Sequence, residues 1–383
     1  MIQDKFTNLE GMKWIPAFIL IACVPFSLRA QSKDLDRVYT HASTDTTHYP
    51  TSGTMKKIGV KTDPAGHKII ITADGQPFTE FLYPDTLEKP VLYPVYAADG
   101  QAVTRGFPLS PRPGESVDHP HHIGIWFSYE NVNGLDFWNN SYAIPAEKKH
   151  LYGWIRTDSI LEAKVLPNNG PGVIRYRAQW TDQQGHVLLK ETTYLLFSAY
   201  GEERTIDRFT TLQAMQDVRF ADAKDGLLGM RVTKELQIPS NTPGQFVDDK
   251  GNITTVAAGN SPDINGNYIT SESKQGDSAW GTRGSWCLLY GKKGADTISI
   301  AIIDRPSNPG WPTYWHARGY GLFAANPLGE KIFSNGKETL NLQVAKGQSV
   351  TFAYRIVIAS DPNRRLATGR IRQLADYFYH SVR

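Results

Sequence analysis

A large antiparallel β-sandwich closed by one C-terminal helix is the all-β fold class that this sequence predicts, and three observations predict it. Short runs of alternating apolar and polar residues recur from about residue 57 almost to the end, and alternation with period two means one buried and one wet sheet face. Turn-forming dipeptides such as Asp74-Gly75 and Asp99-Gly100 punctuate those runs, so successive strands fold back on one another. Only the tail changes period: Leu366, Ile371, Leu374, Ala375 and Phe378 keep helical spacing across LATGRIRQLADYFYHS. Many strands with one late helix point to a sandwich with a helix packed on a sheet.

Taken in order, the chain opens on its only long apolar run, Ile15 to Leu28, which follows Lys13 and is interrupted by Pro16 and Pro25. It is too short for a comfortable membrane span. The basic start, the apolar stretch and the small Ala30 before Gln31 read residues 1–30 as a secretory signal peptide, with Met12 as an alternative start. Leu20-Ile21-Ala22-Cys23 also has the form at which bacterial lipoproteins are cut and acylated, which would place a lipid anchor at Cys23. Either route exports the protein to the periplasm or outer surface of a Gram-negative bacterium; a buried hydrophobic N-terminal helix is the bland alternative. The two cysteines, Cys23 and Cys287, allow neither a disulfide framework nor a zinc-type cluster.

Residues 31–56 are polar, rich in Ser and Thr and without periodicity, and read as a flexible leader. Residues 57–383 read as a single domain, since no boundary interrupts the strand pattern. Within it, Ile174, Tyr176, Ala178 and Trp180 alternate with Arg175, Arg177 and Gln179, and the same grammar continues through 298–304 and 340–360. Residues 240–283 differ: they are rich in Gly, Asn, Asp and Ser, and their Trp280-Gly281-Thr282-Arg283 ending suits an ordered lid. Of 383 residues, Lys and Arg number 41 against 38 Asp and Glu, too even a balance for nucleic acid or a polybasic membrane contact. Phosphate-cradling glycine loops, serine-hydrolase elbows and zincin helices are missing from the sequence.

The densest chemistry lies in Asp118-His119-Pro120-His121-His122, with Gly124, Trp126 and Phe127 following and Arg105 preceding. In an extended segment alternate side chains share a face, so His119 and His121 are expected together and His122 opposite. Such a pair can exchange protons with a substrate near neutral pH, or form two thirds of a metal site completed by Asp118, Glu130 or His316. One of these histidines capping a strand end is the plain alternative. Asn133-Gly134 predicts a tight turn, and beside it Asp136 is either a catalytic carboxylate or a local backbone cap. Around Asp304, the stretch Trp311 to Asn326 gathers Trp315, His316, Arg318 and Asn326; flat rings suit pyranose faces, while Arg, His and Asn suit hydroxyls. An aromatic inter-sheet plug would explain Trp311 and Phe323 but not His316 and Arg318. A weaker set is Asp222 to Gly226 with Arg231, Lys234 and Glu235, where paired ions on an exposed strand are the commoner explanation.

At these residues the chain resembles the PmoA family, a bacterial group named after methane oxygenase. The likeness spans roughly 60–380 and rests on Asp118-His119-Pro120-His121-His122, Val132-Asn133-Gly134 with Asp136-Phe137-Trp138, Lys224-Asp225-Gly226 (where the family usually has Glu in place of Asp225), Gly284-Ser285-Trp286, Pro306-Ser307-Asn308-Pro309 and Thr313 to Tyr320. Methane oxidation does not transfer, because it requires several membrane helices and the chain has none after residue 30. The family in turn looks like the supersandwiches of galactose mutarotase type, whose His-Pro-x-His-Gly stretch is echoed with the glycine displaced by one. That likeness implies a carbohydrate on a concave sheet, with histidines and a carboxylate handling protons near the anomeric carbon.

The function expected is an exported carbohydrate-active enzyme of hydrolase, lyase or epimerase type, working in glycan degradation without a cofactor. His119, His121, Asp136, Asp304 and His316 are the catalytic candidates; Arg105, His122, Trp126, Glu130, Trp315, Arg318 and Asn326 are the substrate-binding ones. Two alternatives stand beside it: a non-catalytic glycan-binding protein, and a metal-dependent enzyme with a divalent ion at His119 and His121.

Overall fold

The computed structural model describes residues 53–241 and 261–381, together with a strand pair at 244–247 and 253–256. Residues 1–30, read as a signal peptide, with Cys23 among them, and most of the stretch 31–56 read as a leader lie outside the described residues. In chain order the strands begin with β1 Ile58–Asp63, β2 Lys68–Ala73, β3 Gln76–Leu82, β4 Val91–Val95 and β5 Ile125–Tyr129. Four long strands follow: β6 Trp154–Val165, β7 Gly172–Thr181, β8 Val187–Tyr200 and β9 Glu203–Ala214. Next come β10 Val218–Arg219, β11 Gly226–Arg231, β12 Gly244–Val247, β13 Ile253–Val256 and β14 Asn267–Thr270. The last are β15 Trp286–Lys293, β16 Asp296–Asp304, β17 Tyr314–Ala317, β18 Leu322–Asn326, β19 Gln343–Val344 and β20 Ser349–Asp361.

Two eight-stranded antiparallel sheets result, the first in the order β1-β2-β3-β4-β5-β11-β18-β17 and the second β14-β15-β16-β20-β9-β8-β7-β6. Local chemistry sets much of this. Asp74 and Gly75 take φ of 49° and 77°, the left-handed pair of a two-residue hairpin joining β2 to β3 with Ala73 opposite Gln76. Asn133 and Gly134 do the same, closing the Val132–Leu135 bridge.

Period-two alternation then sorts the faces. Ile174, Tyr176, Ala178 and Trp180 are buried between the sheets, where they meet Phe127 of β5, Met230 of β11 and Phe323 of β18. A buried side chain of the size of Ile174 or Phe127 contributes roughly 1.5–3 kcal/mol on leaving water. The helix Thr368–His380 buries Ile371, Leu374, Ala375 and Phe378 against the other face of the second sheet, on Leu196, Leu288 and Val357. Leu366, read as part of that stripe, lies just before the helix and is partly buried against the same layer.

A third apolar layer sits on the outer face of the first sheet and includes Val91, Tyr93, Ile123, Trp126, Trp138, Leu322 and Ala324. In β5, β11, β17 and β18 the residues alternating with the inter-sheet core are Trp126, Gly229, Arg231, His316 and Asn326, so they face outward. Gly229 is required there, because a Cβ would lie 2.6 Å from ring atoms of both Trp126 and Trp138. This outer face carries the candidate site.

Candidate functional site

The histidine motif is a turn, not an extended strand: His122 N donates to His119 O at 3.0 Å, with Pro120 and His121 at the corners. His119 adopts φ 45°, the left-handed region that costs a non-glycine residue free energy and persists only when neighbours enforce it. The expected pairing of His119 with His121 is therefore corrected. His119 stacks on His122 instead, at 4.8 Å and 1° between ring planes, while His121 meets His122 edge-on at 4.3 Å. Tyr320 stacks on His119 at 5.2 Å and His122 on Trp126 at 5.1 Å, so four near-parallel rings run inward from the surface.

Two buried guanidiniums hold the turn. Arg105 Nη1 and Arg231 Nη2 donate to the same oxygen, Asp118 Oδ1, at 2.7 and 2.6 Å. Arg105 also donates to the carbonyls of Ser116, Asp118, His119 and His122. Burial pushes the Asp118 carboxyl up, but His119, Arg231 and Arg105 outweigh it and hold it well below the usual carboxylate range. Arg231 Nη1 donates to His122 Nδ1 at 3.1 Å, which leaves the His122 proton on Nε2. Burial first, then neighbouring cations, keep His121 and His122 far below the ordinary histidine value, so both are neutral.

Across this face lies a second group. Arg318 Nε donates to His316 Nε2 at 3.3 Å, placing the imidazole proton on Nδ1. That Nδ1 is buried beside the Lys224 backbone and faces Asp225 Oδ1 at 3.4 Å. Burial, with Arg318 and Lys224 beside it, pushes His316 down to about 3. Burial and then Glu130 push the Asp225 carboxyl up to about 6. Glu130 Oε2 accepts from Asp225 N at 3.0 Å, which ties β5 to the start of β11. Trp280, at the end of the loop read as a lid, has the Arg318 guanidinium over its ring at 4.4 Å. The middle of that loop lies outside the described residues.

The sequence candidates thus separate. His119, Glu130, His316 and Arg318 come to one outer face. His121 and His122 are buried beneath it, and Trp126, fully buried, is its floor. Arg105 is a clamp inside the protein and not a surface contact. Trp315 is corrected: its alternation on β17 turns it into the inter-sheet core with Phe323. Trp311, which the alternative of an inter-sheet plug would bury, is 41% exposed. Asn326 holds the Ala223 and Lys224 carbonyls at 2.9 and 2.8 Å, positioning Asp225 without facing a ligand.

Asp136 accepts from Trp138 N, Asn139 N and Asn139 Nδ2 at 2.8–2.9 Å, as a cap of its own turn. Asp304 is also corrected. It lies at the end of β16 in the second sheet, where its oxygens accept from Asn308 Nδ2 at 2.7 Å and Thr313 N at 2.8 Å. The strand expected to carry Arg231, Lys234 and Glu235 ends at Arg231; Glu235 pairs with Lys293 at 2.8 Å.

Sequence reading undervalued Asp225, Arg231 and Tyr320, each carried in a quoted motif but given no leading role. Lys89 it missed altogether. This buried lysine donates to Trp138 O at 2.7 Å, and burial pushes it down to about 8 against the pull of Glu88 and Asp136. Among the described residues no three His, Cys, Asp or Glu side chains come together as a metal-holding group. Among them, too, no helix is long and apolar enough to cross a membrane.

Fold and site together define a two-sheet antiparallel β-sandwich with an ionisable, aromatic-floored site on one outer sheet face. The chain belongs to DUF6807, a family of unknown function whose model matches residues 68–376. This is not the PmoA name suggested by the motifs. No curated protein matches the chain. Similar solved structures include a galactose mutarotase-like protein from Clostridium acetobutylicum, 10% identical, with 80% of this chain and 99% of that one covered at a TM-score of 0.37. A GH36 α-galactosidase from Geobacillus stearothermophilus is 9% identical, with 79% and 41% covered at a TM-score of 0.35. An α-galactosidase from Lactobacillus brevis is 8% identical, with 85% and 42% covered at a TM-score of 0.34. The chain thus spans about two fifths of the length of the two α-galactosidases.

Proposed function

We propose that this protein is a carbohydrate-active enzyme that transfers protons at or near an anomeric carbon, with Asp225 as the titrating carboxyl and His119 as the solvent-facing partner. The observation that carries the reading is the Asp225–His316 pair: a mostly buried carboxyl held at about 6 facing the buried Nδ1 of a neutral imidazole at 3.4 Å. A carboxyl poised there exchanges protons readily near neutral pH. His316 orients Asp225 and is itself fixed by Arg318. Tyr320 and Trp280, both partly exposed, offer ring faces to a pyranose. Hydrolysis, elimination and epimerisation each need a proton moved to or from the sugar. The motif likeness to PmoA-named proteins belongs to this reading, without methane oxidation.

We propose as well that residues 1–30 direct export to the periplasm or outer surface, with acylation at Cys23 as the alternative processing. The mass of the mature N-terminus distinguishes the two.

The test is a panel of glycans and nitrophenyl glycosides, with and without EDTA, on the wild type, Asp225→Asn and His119→Ala. Turnover that resists EDTA and falls by on the order of a hundredfold or more in Asp225→Asn supports the assignment. Equal turnover in all three proteins would sink it. Binding without turnover would make the protein a glycan-binding module, and activity lost to EDTA would make it a metal enzyme.

A further inference from the structure

We propose that the sugar taken by this site carries a carboxylate, received by the open fork of Arg318. The inference rests on the sugar reading above and narrows its substrate class. Arg318 is half-buried and engaged on two sides, through Nε to His316 and through its flat face to Trp280. Among the described residues its terminal amino groups have no hydrogen-bond acceptor and no acid pairs with it. A guanidinium so oriented, with its outer edge unspent, matches an oxyanion that accepts two parallel hydrogen bonds.

Charge balance beneath this face points the same way. Arg105 and Arg231, fully buried, share one oxygen of Asp118. The next acid, Glu115, is held by Arg112 at 2.8 Å. Glu115 being spent on Arg112, the two buried guanidiniums share the single carboxylate of Asp118, and a buried excess cation is costly unless a ligand offsets it. Tyr320 links the buried guanidiniums to Arg318: Arg231 lies over its ring at 4.7 Å, and both Arg231 and Arg318 act on its hydroxyl.

Calorimetric titration of the whole chain with galacturonate and glucuronate, as monomers and short oligomers, beside galactose and glucose in the same sizes tests this. A galactose 6-sulfate arm separates carboxylate from sulfate. Each uronate is expected to bind on the order of ten- to a hundredfold more tightly than its neutral parent. In Arg318→Gln the ratio is expected to fall to about one, and in Arg318→Lys, which keeps the charge without the fork, to lie between. Neutral sugars binding as tightly as uronates to the wild type would overturn the inference and leave the sugar reading standing. No binding by any sugar would overturn both. A preference for the sulfate would overturn the carboxylate, and a uronate preference that survives Arg318→Gln in a folded variant would overturn the role of Arg318. The wild-type comparison decides the ligand class even where a variant fails to fold.

Discussion

His119 lies flat on His122, with 4.8 Å between ring centroids and 1° between ring planes. The two rings look alike in sequence and do different work. His122 is 2% exposed, sits on Trp126 and takes a hydrogen bond from Arg231. His119 forms the outer end of that pair, with 40% of its side chain exposed. One ring is structural and the other is available to a ligand.

Substituting them should separate the roles. His122→Ala removes a buried ring and leaves Arg231 without its acceptor, so it should lower stability by about 2–4 kcal/mol. His119→Ala should change the melting temperature little and abolish sugar turnover. Thermal melts beside a turnover assay check both; a large stability loss in His119→Ala would contradict the division.

Asp225 should leave a signature in stability against pH. Its folded value of about 6 lies above the ordinary 3.8, so its contribution is complete below about 3.8 and is lost as pH rises through about 6. Asp225→Asn stays neutral throughout. The variant should be more stable than the wild type at pH 7, by roughly 2 kcal/mol, and lose that advantage at pH 4. Denaturant melts at both pH values measure it. The same substitution should erase the acid limb of the activity profile near pH 6.

Asp118 should behave in the opposite sense. Its folded value is depressed, so its contribution is present above the ordinary carboxylate value and is lost as pH falls through the depressed one. Asp118→Asn strands Arg105 and Arg231. The expected cost at pH 7 is about 2–3 kcal/mol, discounted because 39% of the carboxylate side chain meets solvent. Chemical denaturation should show the gap between variant and wild type narrowing in strong acid.

Asp304 is expected to hold its own loop and to take no part in the chemistry. Asp304→Ala leaves Asn308 and Thr313 N without their acceptor and should cost about 1–3 kcal/mol. Turnover per folded molecule should not change. A loss of kcat at full folding, measured below the melting transition, would return Asp304 to the catalytic set.

The sandwich was legible because its signals are local. Alternation along β7 fixes which side chains face the core, Asp74-Gly75 dictates a hairpin, and the spacing of Ile371, Leu374, Ala375 and Phe378 marks a helix face. The histidine cluster and the His316–Arg318 cluster were legible as chemistry for a similar reason, since they are dense and contiguous. Their division into clamp, floor and ligand-facing group was not. Trp315 and His316 are neighbours in sequence, yet the pleat sends one into the core and the other to the site. Asp304 and Asp225 are both buried acids, and only the pairing of strands decides that Asp225 meets His316 while Asp304 turns to its own loop. Sequence by itself determined the strand grammar, the terminal helix and the residues able to move protons. Tertiary structure alone decided which of them share a face and which guanidiniums hold Asp118, because burial and charge pairing depend on neighbours that lie 100 or more residues away, as Arg231 does from His122.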